Sequence, residues 1–188
     1  MKFTKLVTVA SLLLTTISAP ILADTWDTTL KVGIGSKALE SEWERFDEHD
    51  SVGFMLDLKH QDYPVSIAID AFGTGKEIKE DGDKTGVYSA ELDLGLRYTY
   101  EDFGAVQPYL GGGVALGYGN IEVEEGNQTI EVEDHGTGYW VAIGAQFEFS
   151  NSVVAGIDVR QSSYDVDLDG DDYDAGGKQV TFFVGYQW

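Results

Sequence analysis

The sequence of 188 residues has no cysteine, three prolines and only 12 basic residues against 33 acidic ones. Without cysteine it has no disulfide bond, no thiolate nucleophile and no thiolate metal site. The formal net charge of -21 argues against nucleic acid as a partner, because phosphate neutralisation needs clustered lysine and arginine. Beyond the N-terminus, no apolar run approaches the roughly 18 residues that a membrane-spanning helix requires.

The N-terminal segment has the composition of a secretory signal peptide. Two lysines precede a short apolar run, residues 6–17, and the small Ala23 precedes a cleavage site near Asp24. We therefore predict that residues 1–23 are a signal peptide that is removed, and that residues 24–188 form a single exported domain.

Alternation of apolar and polar side chains is the dominant pattern in the rest of the sequence. In residues 178–188, every second side chain from Val180 onward is large and apolar. A β-strand sends alternate side chains to opposite faces, so one face of this segment is apolar and the other is mixed or small. Similar patterns predict eight strands, over about 25–37, 51–59, 65–71, 86–100, 107–118, 136–149, 153–160 and 178–188.

The connections between these strands alternate between long and short. The four long connections, residues 38–50, 73–85, 119–135 and 165–177, contain 22 of the 33 acids. Alternate apolar residues in 119–135 indicate that the flanking strands continue there as a hairpin. A barrel in the outer membrane of a Gram-negative bacterium places long loops outside and short turns in the periplasm, so both termini are predicted to be periplasmic.

The two faces of the strands decide between two classes of barrel. A secreted, soluble ligand-binding barrel shows the same alternation with its apolar face inside. Here aromatic residues near both ends of the apolar face match the interfacial girdles of a lipid-facing wall, and glycines on the other face suit a crowded lumen. We predict an all-β, eight-stranded antiparallel up-and-down transmembrane β-barrel, with the soluble barrel as the alternative.

Two motifs resemble those of known outer-membrane proteins. Residues 107–114, Q-P-Y-L-G-G-G-V, resemble a recurrent strand of small barrels of the OmpA-transmembrane and OmpX kind. The resemblance implies an integral outer-membrane protein, monomeric, with membrane lipids, lipopolysaccharide and the barrel assembly machinery as partners. The C-terminal residues resemble the signal by which such barrels are recognised for assembly, namely Val180, Phe182, Val184, Tyr186 and Trp188.

The predicted lumen face carries charges of both signs. Charges in a low-dielectric interior must be paired, so we predict a structural ion-pair network that plugs the barrel. The alternative is a gate in which Arg97 or Arg160 exchanges acidic partners, giving a narrow, porin-like passage for small solutes or ions. An eight-stranded lumen is just wide enough to be filled by side chains, which disfavours a permanently open pore. The charged residues are Lys31, Asp57, Lys59, Asp70, Glu91, Asp93, Arg97, Glu148, Asp158 and Arg160.

One acidic segment matches part of a calcium-binding motif. Asp165, Asp167, Asp169 and Asp171 follow the D-x-D-x-D-G opening of an EF-hand loop, but Gly176 stands where the bidentate glutamate should be. A solvated acidic loop is the main interpretation, and weak Ca²⁺ or Mg²⁺ binding is the alternative; no other cofactor is predicted. Acidic loops also repel anionic lipopolysaccharide unless divalent cations or salt intervene.

A hydrolytic site has one candidate in the sequence. His135 lies beside Asp134 and close to Thr137, which supplies a base, a carboxylate and a hydroxyl. Histidines in loops are more often simply solvated. We therefore predict a non-catalytic protein with a structural or surface-interaction role.

Overall fold

The computed structural model describes residues 25–38, 49–80, 83–125, 128–149, 152–168, 171–174 and 176–188; the predicted signal peptide lies outside them. Among these residues, no helix is long and apolar enough to cross a membrane. The strands in chain order are β1 (Trp26–Ala38), β2 (His49–His60), β3 (Val65–Glu80), β4 (Asp83–Thr99), β5 (Val106–Glu125), β6 (Gln128–Glu148), β7 (Val153–Ser163), β8 (Asp165–Leu168), β9 (Asp171–Asp174) and β10 (Gly177–Gln187).

Eight of these strands form a closed antiparallel barrel in the order β1-β10-β7-β6-β5-β4-β3-β2. The barrel closes between the first and last strands, where Val32 pairs with Val184 and Thr28 exchanges two backbone hydrogen bonds with Trp188. Strands β8 and β9 form a separate two-stranded hairpin between β7 and β10. The predicted eight-stranded up-and-down barrel is therefore confirmed.

The apolar face of the strands points outward. Ile34, Ile143 and Phe182 are each more than 60% exposed, whereas Asp93 and Arg97 are fully buried inside. In water this arrangement would leave a continuous apolar belt unburied, but in a lipid bilayer the same belt is matched to its surroundings. The alternative of a soluble barrel with an apolar interior is therefore wrong.

Glycines on the inner face make room for large side chains that cross the lumen. A Cβ atom at Gly144 would overlap with the ring of Tyr109, and one at Gly53 would overlap with the ring of Phe72. Each aromatic ring thus approaches the backbone of a neighbouring strand at a position where only glycine leaves room. This explains how a barrel of eight strands accommodates both aromatic and charged residues in its interior.

The two ends of the barrel differ in height. We call the end that carries the β2–β3, β4–β5 and β6–β7 connections the turn end, and the opposite end the loop end. Strands β3 to β6 have 16, 17, 20 and 21 residues, whereas β1, β2, β7 and β10 have 11 to 13. One half of the wall therefore extends beyond the other at the loop end.

Two of the connections predicted as loops are largely strand. In residues 73–85, β3 and β4 remain paired up to Glu80 and Asp83, and within 165–177 the β8–β9 hairpin occupies most of the segment. The prediction relied on apolar alternation, which ends where the wall leaves hydrocarbon, whereas backbone pairing needs no apolar face. The predicted hairpin in 119–135 is confirmed, since β5 and β6 pair up to Glu125 and Gln128. Most of the predicted loop 38–50 lies outside the described residues.

Candidate functional site: the charged lumen

Charged side chains from five strands form a connected set of ion pairs across the lumen. Asp70 of β3 lies at its centre, where Oδ2 accepts a hydrogen bond from Arg97 Nη2 at 2.6 Å and another from Arg160 Nη2. Arg97 also contacts Asp57 of β2. Each of these side chains is at most 10% exposed. We call the full set the central layer: Lys31, Asp57, Asp70, Asp93, Arg97, Asp158 and Arg160.

The central layer extends from Asp70 in two directions. On one side, Lys31 Nζ donates to Asp57 Oδ2 at 2.7 Å. On the other side, Arg160 contacts Asp93 of β4, and its Nε donates to Asp158 Oδ1 at 3.3 Å. The chain of contacts therefore runs without interruption from β1 to β7. Such pairing compensates the desolvation of charges that a low-dielectric interior would otherwise destabilise.

Aromatic rings hold the cations of the central layer in place. The guanidinium of Arg160 lies between the rings of Phe72 and Trp140, 4.5 Å from each centroid. Tyr109 Oη donates to Asp158 Oδ2 at 2.7 Å. Cation–π contacts are strongest where water is excluded, as it is here. The rings and the ion pairs are therefore packed against each other in the interior of the barrel.

A second polar cluster lies closer to the loop end. Lys37 Nζ of β1 donates to Glu91 Oε2 of β4 at 2.7 Å and to Tyr164 Oη at 3.4 Å. Ser162 Oγ of β7 donates to the same Glu91 oxygen at 3.0 Å. All four side chains are buried. We call this cluster the outer latch: Lys37, Glu91, Ser162 and Tyr164.

The structure brings together most, but not all, of the charges predicted to line the lumen. Glu91 belongs to the outer latch. Lys59 instead pairs with Glu101 at the turn end, and Glu148 is exposed there and accepts a hydrogen bond from Gln107 Nε2 at 2.7 Å. The predicted residues that do join the central layer are Lys31, Asp57, Asp70, Asp93, Arg97, Asp158 and Arg160.

The residues that sequence reasoning missed are mainly those beyond the predicted strand ends or without charge. Lys37 is the last residue of the predicted first strand and has the same inward parity as Lys31, so following the inward-facing series to the end of that strand would have identified it. Tyr109 and Trp140 lie on the inner face, but nothing in the sequence distinguishes a ring that stacks on a cation from one that only fills space. Tyr164 follows the last residue of β7 and lies beyond the predicted strand, which ends at about residue 160.

The turn end carries a small group of solvent-accessible charges. The Asp102 carboxylate, in the turn between β4 and β5, raises the pKa of the neighbouring Tyr100 phenol. Glu101 of the same turn holds Lys59, whose side chain is 26% exposed. Because solvent screens such pairs, they contribute little to stability compared with the central layer.

The predicted cation site is only partly described. Asp165 begins β8 and Asp171 begins β9, with Asp167 paired in register to Asp172, while Asp169 lies outside the described residues. Within the described part of the chain, no group of three or more histidine or acidic residues is placed to hold a metal ion. Weak Ca²⁺ or Mg²⁺ binding by this segment remains a prediction.

The remaining motifs are found on the outer surface. His135, the residue considered for hydrolysis, is exposed and contacts Tyr118 with tilted rings whose centroids are 5.0 Å apart. Tyr186 and Trp188 stack at 6.3 Å near the turn end. The alternate residues considered as an assembly signal lie on the outward face of β10 and just beyond it: Val180, Phe182, Val184, Tyr186 and Trp188.

Comparison with known proteins gives a family and a fold. The family described as outer membrane protein beta-barrel domain matches residues 9–188. The chain is similar to Ail of Yersinia pestis, solved with a heparin analogue, at a TM-score of 0.64 and 11% identity, covering 87% of this chain and 99% of that one. It is also similar to OprG from Pseudomonas aeruginosa, at a TM-score of 0.63 and 14% identity, covering 87% of this chain and 96% of that one. The neisserial surface protein NspA is similar at a TM-score of 0.59 and 13% identity, covering 87% of this chain and 97% of that one. No curated protein matches the sequence. At these identities the similar structures establish the fold alone.

Proposed function

The chain belongs to the outer membrane protein beta-barrel domain family, and from this premise we propose a non-catalytic, non-conducting integral protein of the Gram-negative outer membrane. Its role is envelope structure or surface contact. The loop end faces the exterior, and the turn end, with both termini, faces the periplasm. Outer-membrane lipids, lipopolysaccharide and the barrel assembly machinery are its partners, and the barrel acts as a monomer.

The observation that carries this proposal is the central layer. An open pore needs a continuous path of water, and an eight-stranded barrel has no spare cross-section once its interior is occupied. Here the fully buried Arg97 and Arg160 share Asp70 at the centre of the lumen. Each strand of the barrel contributes a charged or aromatic side chain to the central layer or to the rings around it. We therefore infer that the lumen is closed by its own side chains and does not form a continuous path of water.

Planar-bilayer recording tests the proposal directly. The purified, refolded barrel is expected to give no reproducible single-channel steps at 1 M KCl over ±100 mV, while a porin reconstituted at the same protein-to-lipid ratio conducts. Folding is checked independently by heat-modifiable gel mobility, which distinguishes a closed barrel from the unfolded chain. Frequent unitary steps from fully folded protein would overturn the non-conducting assignment.

A gated narrow passage is the second candidate, and one observation favours it. Asp70 Oδ1, Asp93 Oδ1 and Arg97 Nε are buried and have no hydrogen-bond partner among the described residues. Such spare hydrogen-bonding capacity would permit the two arginines to exchange acidic partners. This candidate predicts rare, brief openings in long recordings, whereas a permanent plug predicts none.

The acidic segments at the loop end support surface contacts that depend on divalent cations. Like charges on the loops and on lipopolysaccharide repel each other unless a cation bridges them. Association of the refolded barrel with lipopolysaccharide vesicles should therefore fall when EDTA is added at low salt and recover with Mg²⁺. Binding that is unchanged by chelator would refute the bridging role.

A further inference from the structure

Tyr164 lies across the loop end of the lumen. It directly follows Ser163, the last residue of β7, and it is only 2% exposed. Its ring covers Gly117 of β5, where a Cβ atom would overlap with the ring, and reaches Gly136 of β6, where a Cβ atom would lie 3.2 Å from Cδ2. The Tyr164 ring thus packs against two glycines on neighbouring strands.

Lys37 holds the ring from the opposite wall. Its Nζ lies 3.4 Å from Tyr164 Oη and 5.2 Å from the centre of the ring, so one ammonium group makes both a hydrogen bond and a cation–π contact. The same ammonium group is paired with Glu91 at 2.7 Å. Strands β1 and β4 are separated by two strands on one side and by four on the other, so this pair spans the lumen.

The outer latch and the central layer share no residue and lie at successive levels. Glu91 of the latch and Asp93 of the central layer are neighbours on the inner face of β4, and Ser162 and Arg160 are neighbours on β7. Two residues along a strand correspond to about 7 Å. The loop end therefore has its own set of contacts, above the ion pairs that plug the middle.

We propose that Tyr164, held by Lys37 and Glu91, is a second closure of the lumen that acts in series with the central layer. This inference rests on the proposed function, because a second closure has meaning only for a barrel whose lumen is closed. It goes beyond that function by assigning a specific side chain as the barrier that solutes meet first from the loop end.

The absence of cysteine from the sequence makes the closure measurable with a single introduced thiol. Ala115 is fully buried and lies two residues from Gly117 on β5, beneath the ring of Tyr164. In the folded Ala115→Cys protein, modification by the small cationic reagent methanethiosulfonate ethyltrimethylammonium should be slow. Adding Tyr164→Ala should increase the rate about tenfold or more, because local opening is no longer needed for access. Tyr164→Phe keeps the ring and should leave the rate close to that of the parent.

Tyr139→Ala is the matched control. Tyr139 pairs in register with Ser163 but faces outward and is 58% exposed, so its removal should not change the rate. Ala142→Cys, on the inner face of β6, serves as a second reporter if Ala115→Cys does not fold by heat-modifiable mobility. Equal rates with and without Tyr164→Ala, or an equal increase with Tyr139→Ala, would overturn the closure. Failure of the non-conducting function would instead appear as single-channel steps in the unmodified protein.

Discussion

Removal of either central arginine should destabilise the barrel, but by different amounts. Replacing Arg97 with methionine takes one cation from Asp57 and Asp70, yet Lys31 still pairs with Asp57, and Arg160 still pairs with Asp70. Breaking a buried ion pair costs about 3–5 kcal/mol, mainly through the charge left unpaired. Because both carboxylates keep a cation, we expect Arg97→Met to cost about 3 kcal/mol, at the lower end of that range.

Arg160→Met should cost more, because it leaves two buried carboxylates without any cation among the described residues. Asp93 and Asp158 each pair only with Arg160 there, although Asp158 also accepts a hydrogen bond from Tyr109. We expect a loss of about 5 kcal/mol or more, at or above the upper end of the range for one broken pair. Adding Asp93→Asn should recover part of it, since the double variant removes one of the stranded charges.

The measurement is the free energy of unfolding in urea from lipid bilayers, followed by tryptophan fluorescence and by heat-modifiable mobility. Lys59→Met is the control, because its pair with Glu101 is solvent-accessible and should contribute less than about 1 kcal/mol. Equal losses for the two arginine variants, or a larger loss for Arg97→Met, would show that the number of unpaired carboxylates does not control the stability of the lumen.

Other expectations follow from the wall and the C-terminus. Gly144→Ala places a methyl group against the ring of Tyr109 and should lower the unfolding free energy by about 1–3 kcal/mol in a urea titration; an unchanged value would argue against this packing. Leu94→Arg puts a charge on the outward face, midway along the apolar belt, and should cost about 2–4 kcal/mol in bilayers but little in detergent; equal costs in both would argue against lipid contact. Trp188→Ser should slow folding by purified assembly machinery more than spontaneous folding into detergent, and an equal effect on both would argue against a recognition signal.

Whether a strand residue faces lipid or the lumen can be predicted from the sequence more reliably than the residue with which it forms an ion pair. Leu94 and Arg97 have opposite parity on β4, which is enough to place one outside and the other in the lumen. The pairing of Arg97 with Asp57 and Asp70 depends instead on how far neighbouring strands are shifted, as in the registers Ser66 with Arg97 and Asp70 with Asp93. Alternation alone does not specify that shift, so the sequence predicted most of the charged residues of the lumen but not the ion pairs that they form.

The reliance on alternation also explains why strands at the loop end are longer than predicted. Hydrophobic alternation reports contact with hydrocarbon, and it fades where β3 and β4 pass beyond the apolar belt. Pairing continues there up to Glu80 and Asp83 because backbone hydrogen bonds are satisfied whichever side chains are present. The strand ends outside the membrane, and with them the position of Tyr164, were therefore predictable only from the three-dimensional pairing.

The charged lumen also helps to define which fold the chain adopts. A slip of one residue between strands moves every side chain to the opposite face of the wall. On β4 such a slip would expose Arg97 and Asp93 to lipid and bury Leu94 and Leu96 against the remaining charges. Charges facing the middle of the bilayer cost several kcal/mol each, whereas an apolar lumen would allow the slipped and correct registers to compete. Ion pairs in the interior thus penalise the wrong register, in addition to the contacts that they make in the correct one.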